Sequence, residues 1–284
     1  MLHRTSAFLT IAAAIQFFLP CTGALGLKFH SDMSSIKVDA QTGQQITRAF
    51  RLTLDKSEQR TQFKAHLEDW WRSEDGKQSF YKAPGTLKHS CANWIKLNPV
   101  ESSVNPGETL TVRISAAVPN DTKPGGYWCA LTVDEVADPN KIVPQGVGVV
   151  FTASVSIGIF INVTSVDRSA KILQLSTDGV ATSLKVGNDG NCPLGIEGRV
   201  EYYSLGDLTK PVASVKMTRS TVLPEPINTS IISVPLPTPA ALPSGKYMVR
   251  AVLDIGLAHY IGAQKQMDII HATASTQSDA QTKK

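Results

Sequence analysis

The stretch Val147-Gly148-Val149-Val150-Phe151-Thr152-Ala153-Ser154-Val155-Ser156-Ile157-Gly158-Ile159-Phe160-Ile161-Asn162-Val163 decides the fold. Every odd position in it is apolar. The even positions are mostly small or polar, with Val150 and Phe160 as exceptions. Side chains that alternate this way belong to a β-strand with one buried face, not to a helix. Uninterrupted, the run would reach roughly 55 Å, beyond the usual strand of about 3–10 residues. Either a bend divides it near Gly158, or part of it extends past its own sheet. The same period recurs upstream in Ile46, Phe50, Leu52 and Leu54, in Phe63, Ala65 and Leu67, in Leu110, Val112 and Ile114, and in Tyr127, Cys129, Leu131 and Val133. Turn sequences such as Asn105-Pro106-Gly107-Glu108 and Lys123-Pro124-Gly125-Gly126 separate these runs. Short strands at this spacing predict antiparallel sandwiches, so the chain reads as all-β.

Downstream, Leu184, Val186, Ile196, Val200, Ile231 and Val234 continue the pattern, with Pro224, Pro226, Pro235, Pro237 and Pro239 at strand ends and edges. Pro124-Gly125-Gly126-Tyr127 in the first half and Pro243-Ser244-Gly245-Lys246-Tyr247 in the second each place a tyrosine at a strand start. That is the setting of the tyrosine corner in Greek-key sandwiches. The 284 residues therefore divide into two tandem Greek-key β-sandwiches, over 25–165 and 166–272, followed by a disordered polar tail over 273–284. Ahead of them, Arg4, the apolar run Ala7–Leu19 and the small residues Thr22-Gly23-Ala24 form a secretory signal peptide over 1–24, cleaved after Ala24. At about 13 residues the apolar run is too short to span a bilayer, and no later run is long enough, so no stable membrane insertion is expected. Only 18% of residues are charged and the net charge is +4, with no concentrated basic block, so nucleic acid is not an expected partner.

Glu68-Asp69-Trp70-Trp71, Asp75-Gly76, Trp94-Ile95-Lys96-Leu97-Asn98-Pro99, Asn105-Pro106-Gly107-Glu108 and the stretch from Val118-Pro119 to Gly125-Gly126-Tyr127 resemble the first domain of bacterial proteins related to periplasmic pilus-assembly chaperones (PapD-like). Asn188-Asp189-Gly190-Asn191, Leu223-Pro224 and Gly245-Lys246-Tyr247 resemble the immunoglobulin-like modules paired with such domains. The resemblance covers most of residues 30–270. It implies a periplasmic or extracellular protein of two tandem immunoglobulin-like Greek-key β-sandwiches and, in the chaperone members, a long strand that completes a pilin subunit. It also implies a basic cleft between the domains that grips the subunit's terminal carboxylate. One cleft residue is a lysine within the long strand, where this chain has Gly158, and no matching arginine stands near Phe29–Ile36.

The titratable residues suggest no enzyme. The histidines are scattered, no zinc spacing occurs, and there is neither a Gly-x-Ser-x-Gly elbow nor a phosphate-binding glycine loop. His89 and Cys91 share a strand face but lack a third group to orient the base. Asp134, Glu135 and Asp138, or the Asn188-Asp189 turn, read as solvated turns in preference to a calcium site. No cofactor and no metal are expected. Secretion permits a disulfide; Cys91–Cys129 is the favoured pairing, with Tyr127 at an immunoglobulin-like position two residues before Cys129, and three buried thiols are the alternative. Cys192 is left free or pairs with another chain. The resulting expectation is a non-enzymatic extracytoplasmic protein-binding module, chaperone-like or scaffold. Its partner would be a pilin-like subunit or another extracytoplasmic protein, bound by edge-strand addition. Val155, Ile157, Ile159 and Ile161 are the candidate inserting residues, with burial in the domain's own core as the competing reading. The alternative function is a structural or adhesive module that stays in an assembled fibre or envelope complex.

Overall fold

The structure is a computed structural model and describes residues 27–81, 83–137 and 152–272. The expected signal peptide and tail lie outside these residues. In chain order the first sandwich contains β1 (Phe29–Ser31), β2 (Ser35–Ala40), β3 (Gln45–Leu54), β4 (Thr61–Arg72), β5 (Gln78–Tyr81), a 3-10 turn (Ala92–Trp94), β6 (Ile95–Asn98), β7 (Glu101–Val104), β8 (Thr109–Ala117), β9 (Gly125–Glu135) and β10 (Ser154–Val163). One sheet has the order β1-β3-β8-β6, and the facing sheet β2-β10-β9-β4-β5, with β7 also on β4. The alternation read in the sequence explains the layers. In β8, Leu110, Val112 and Ile114 are buried while Thr111 and Arg113 are exposed. They pack against Phe50, Leu131 and the inward residues of β10 in one core.

The second sandwich contains β11 (Ala170–Thr177), β12 (Ala181–Asn188), β13 (Leu194–Ser204), β14 (Ala213–Lys216), β15 (Ser220–Val222), β16 (Thr229–Pro235), β17 (Gly245–Asp254) and β18 (Ile261–Ile269). Its sheets run β11-β12-β16 and β14-β13-β17-β18, with β15 on β13. Leu184, Val200, Tyr202, Val249 and Leu253 form the centre of its core. Both expected tyrosine corners are present. Tyr127 donates its hydroxyl hydrogen to the Lys123 carbonyl at 3.0 Å, and Tyr247 donates to the Pro243 carbonyl at 2.9 Å. These are equivalent places in two immunoglobulin-like Greek-key sandwiches.

Only part of the long alternating run falls within the described residues. Val147, Val149 and Phe151 lie outside the described residues, and β10 begins at Ser154. Gly158 does not break it, since β10 pairs with β9 without interruption from Ser154↔Asp134 to Val163↔Gly125. Gly158 instead marks where a second neighbour joins. The parallel strand β2 pairs from Gly158↔Ser35 onward.

Six polar contacts among the described residues fix one sandwich on the other. The Gly126 amide donates to the Asn191 carbonyl at 2.8 Å, and the Ile231 amide to the Glu74 carbonyl at 2.7 Å. The Glu74 carboxylate takes Lys185 Nζ at 2.8 Å and the Thr229 hydroxyl. The Glu225 carboxylate takes Lys88 Nζ at 2.8 Å and His89 Nε2 at 3.3 Å. Between them Trp70, Trp128 and Ala130 of the first sandwich meet Leu223 of the second. Gly126 permits this approach, because a Cβ there would lie 2.4 Å from Pro193 Cδ and 2.7 Å from Cys192 Cα. Gly126→Ala is therefore expected to cost about 1–3 kcal/mol and to split one calorimetric unfolding transition into two. A single transition at the unchanged temperature would contradict the tight junction.

Candidate functional site

The site begins at the edge of β10. From Gly158 to Val163 this strand lies between β9 and β2. From Ser154 to Ile157 it pairs with β9 alone, and among the described residues nothing covers its other side. The chain leaves that side because Ser35 is the first residue of β2, while β1 belongs to the opposite sheet. The result is a short row of main-chain groups without a strand partner among the described residues, the template on which strands add. The structure places Ile157, Ile159 and Ile161 at 2%, 2% and 1% exposure in the first sandwich's own core, with Val155 packed on that core at the open end. Inserting the three isoleucines into a partner would require unpacking this core. The part of β10 open to a partner is its main chain at Ser154–Ile157 together with Val155.

The even residues of β10 face the second sandwich. Gly158 leaves room for the ring of Phe160, whose Cε2 would stand 2.7 Å from an added Cβ. That ring meets Trp70 edge-on, with centroids 5.9 Å apart and planes at 88°. Lys37, the register partner of Phe160 on β2, carries its Nζ 5.9 Å from the Phe160 centroid. A cation thus enters the cleft from β2 and not from Gly158 of the long strand. Two lobes meet at Lys37, Phe160 and Arg219. The larger, of about 480 Å³, also holds Arg168, Glu197 and Asp254. The smaller, of about 270 Å³, is lined by Ser34, Ser35, Trp70, Arg72 and Ser156 besides the shared residues, with no carboxylate.

The electrostatics of the smaller lobe are one-sided. Arg219 pairs with Glu197 at 3.3 Å, but Arg72 reaches only the Gln78 amide oxygen at 3.5 Å. The Nε of Arg72 and the Nε1 of Trp70 are buried donors without a partner among the described residues. Burial pulls Arg72 below its usual range. Burial, then Arg219, then Arg168 lower Lys37, against an opposing pull from Glu197. A partly buried cation with no counter-charge is costly, and an acceptor arriving from outside relieves that cost. The lobe lies at the end of the open edge, since Ser34, Ser35 and Ser156 form its rim.

The carboxylates that brace this region set its acid limit. Hydrogen bonding and attraction from Lys88 hold Glu225 below the usual carboxylate range, and hydrogen bonds from Lys185 and Thr229 do the same for Glu74. For buried Asp69, burial raises the carboxyl but hydrogen bonds from Ser90, Leu87, Gly85 and Thr86 outweigh it. All three favour the ionised folded form, so their stabilisation is present above the ordinary carboxylate range and is lost as pH falls through the lowered values. The thermal midpoint is expected to be flat from neutrality to about pH 5 and to drop below about pH 4. A midpoint unchanged down to pH 3 in a thermal scan would contradict these pairings.

Other candidates are placed as follows. Cys91 and Cys129 come together, with free thiols and sulfurs 2.9 Å apart, while Cys192 is buried near the Asp167 carbonyl. His89 does not act on Cys91. It stacks on Trp128 at 5.3 Å, and its nitrogens face the Gly126 carbonyl and Glu225. Asp134 accepts from the Ser154 hydroxyl at 2.6 Å and Asp189 pairs with Lys171 at 3.0 Å; Asp138 lies outside the described residues. Among the described residues no group of three or more His, Cys, Asp or Glu is placed to hold a metal ion, and no helix is long and apolar enough to cross a membrane.

No family model matches this chain, and no curated protein matches it. Solved structures similar to it include the class 5 fimbriae chaperone CfaA, 13% identical with a TM-score of 0.48, covering 84% of this chain and 99% of that one. A second is the CsuC–CsuE chaperone–tip adhesion subunit pre-assembly complex from archaic chaperone-usher Csu pili of Acinetobacter baumannii, 15% identical with a TM-score of 0.44, covering 87% of this chain and 100% of that one. A third is the Salmonella enterica SafA pilin in complex with the SafB chaperone, 12% identical with a TM-score of 0.45, covering 85% and 98%. What this chain binds has to be read from its own edge and cleft.

Proposed function

We propose that this protein is a non-enzymatic extracytoplasmic chaperone for surface-structure assembly, which captures a pilin-like subunit by strand addition and holds the carboxylate of the added strand in the cleft. The observation that carries this reading is a main-chain edge that is open among the described residues and ends at a lobe whose described lining holds three cations and no carboxylate. A partner strand beside Ser154–Ile157, running in line with β2, is parallel to β10. Its carboxyl end then arrives where Ser34 and Ser35 block further pairing. There Lys37, Arg72 and Arg219 meet it with charge, while main-chain hydrogen bonds set register and Val155 contributes apolar contact. Such a complex suits a compartment outside the cytoplasm, in keeping with the secretory leader expected over residues 1–24.

The test is calorimetric titration of the purified protein with a synthetic strand of alternating apolar residues, prepared as free acid and as C-terminal amide. Charge-assisted hydrogen bonds are worth about 1.5–3 kcal/mol each, so the free acid is expected to bind at least ~10-fold tighter. Equal affinity for acid and amide would remove the carboxylate from the account. Val155→Asp is expected to weaken both peptides without unfolding the protein, whereas Ile157→Asp unfolds the first sandwich.

A further inference from the structure

The segment Ala83–Ser90, between β5 and the 3-10 turn, carries both residues that grip Glu225 of the second sandwich, Lys88 and His89. It has no regular sheet pairing of its own. Asp69 holds it from β4, and β9 holds it through two main-chain bonds, Trp128 N–H to the His89 carbonyl at 2.8 Å and Cys91 N–H to the Trp128 carbonyl at 3.3 Å. Cys91 directly follows the segment, and Cys129 is the next residue of β9 after Trp128. Both side chains are fully buried, and their sulfurs face each other at 2.9 Å.

We infer that Cys91 and Cys129 are a modification site: they oxidise to a disulfide that fastens the Ala83–Ser90 segment to β9 and so stiffens the Lys88/His89 grip on the second sandwich. The inference takes from the functional reading only the oxidising compartment. The oxidant is a disulfide, of a small molecule or of a thiol-exchange protein. One cysteine thiolate attacks it, releasing one thiol and forming a mixed disulfide. The second thiolate displaces the remaining thiol. Two protons leave the cysteines, and two electrons reduce the oxidant to two thiols. Burial pushes the Cys129 thiol well above its usual range, and the Cys91 neighbour adds to this. The exchange therefore belongs to the folding chain, before β9 and the segment close over the pair. Cys192 is buried and, among the described residues, forms no disulfide; it is expected to stay a thiol.

The test uses the full chain purified from the cell and, separately, the same chain refolded in a mixture of reduced and oxidised glutathione. Each sample is alkylated under denaturing conditions, digested without reduction and analysed by mass spectrometry. The expected result in both is a linked peptide pair containing Cys91 and Cys129, with Cys192 alkylated. Reduction is expected to lower the thermal midpoint by roughly 10 °C, from the loop-closure entropy of about 38 residues. Reduction should also speed amide exchange over Thr86–His89. The double variant Cys91→Ala/Cys129→Val should match the reduced protein and no longer respond to reductant. Alkylation of Cys91 and Cys129 after refolding in glutathione overturns the proposal, as does a linked pair whose reduction leaves midpoint and exchange unchanged. A pair linked after refolding but free in the protein from cells leaves the disulfide chemistry supported and counts against the oxidising compartment.

Discussion

Lys37→Glu is expected to weaken binding of a free-acid strand by at least ~30-fold, a loss of about 2 kcal/mol or more, while the protein still folds. Lys37 is an exposed residue of β2, between the inward Ile36 and Val38, so neither core depends on its head group. The substituted carboxylate would lie in the lobe beside Arg219 and Arg72. It would remove one cation and also occupy the other two from within the protein. Lys37→Gln removes only the cation and should give an intermediate loss. The amide form of the peptide, which cannot use the lobe, should bind all three proteins alike. Titration of wild type and both variants with acid and amide peptides separates these outcomes. Equal affinity of wild type and Lys37→Glu for the free acid would mean that the carboxylate sits elsewhere.

Asp69→Ala should be the most damaging single change outside the apolar cores. Asp69 is wholly buried, and its carboxylate accepts the backbone amides of Gly85, Thr86 and Leu87 at 3.1, 2.7 and 2.8 Å, the Thr86 hydroxyl at 3.1 Å, and the Ser90 hydroxyl. Each donor left unsatisfied costs about 1–3 kcal/mol. A total on the order of 4 kcal/mol is expected, at the upper end of single-substitution effects. The damage should spread. Once the segment after β5 is released, Lys88 and His89 lose their hold on Glu225, so the sandwich junction should loosen with it. Urea unfolding of the variant measures the total. A loss under about 1 kcal/mol would show that the segment holds its shape without this carboxylate.

The strands were legible because one buried sheet face leaves a mark of period two, and Leu110–Ile114 or Ile157–Val163 carry it plainly. Tyr127 and Tyr247 were legible as corners because each follows a proline–glycine turn at a strand start. The cleft was not legible. Its cations come from β2 (Lys37), from the end of β4 (Arg72) and from the link between β14 and β15 (Arg219). No spacing in the chain relates them. They converge only because β2 runs parallel to β10 and because Gly126 lets the sandwiches touch. The long strand carries Gly158 where the resemblance implies a lysine, and Lys37 reaches the same space from the neighbouring strand. The alternation of β10 was also open to two meanings, since a strand that fills a partner's groove and one that fills its own core read alike. Burial places three of the four candidate residues in the core. Asp69 left one faint signal: a carboxylate in the middle of a strand, at the point where the alternation of Phe63, Ala65 and Leu67 breaks into Glu68-Asp69-Trp70-Trp71.

The central claim is that a partner strand adds to β10 beside Ser154–Ile157 and ends in the cleft. Amide hydrogen exchange of the protein with and without the free-acid peptide tests it most directly. The account expects slowed exchange confined to Ser154–Ile157 and the adjoining Ser34–Ser35, with Gly158–Val163, already paired on both sides, unchanged. Protection that appears on another edge, such as β5 or β18, with none at Ser154–Ile157, would contradict it.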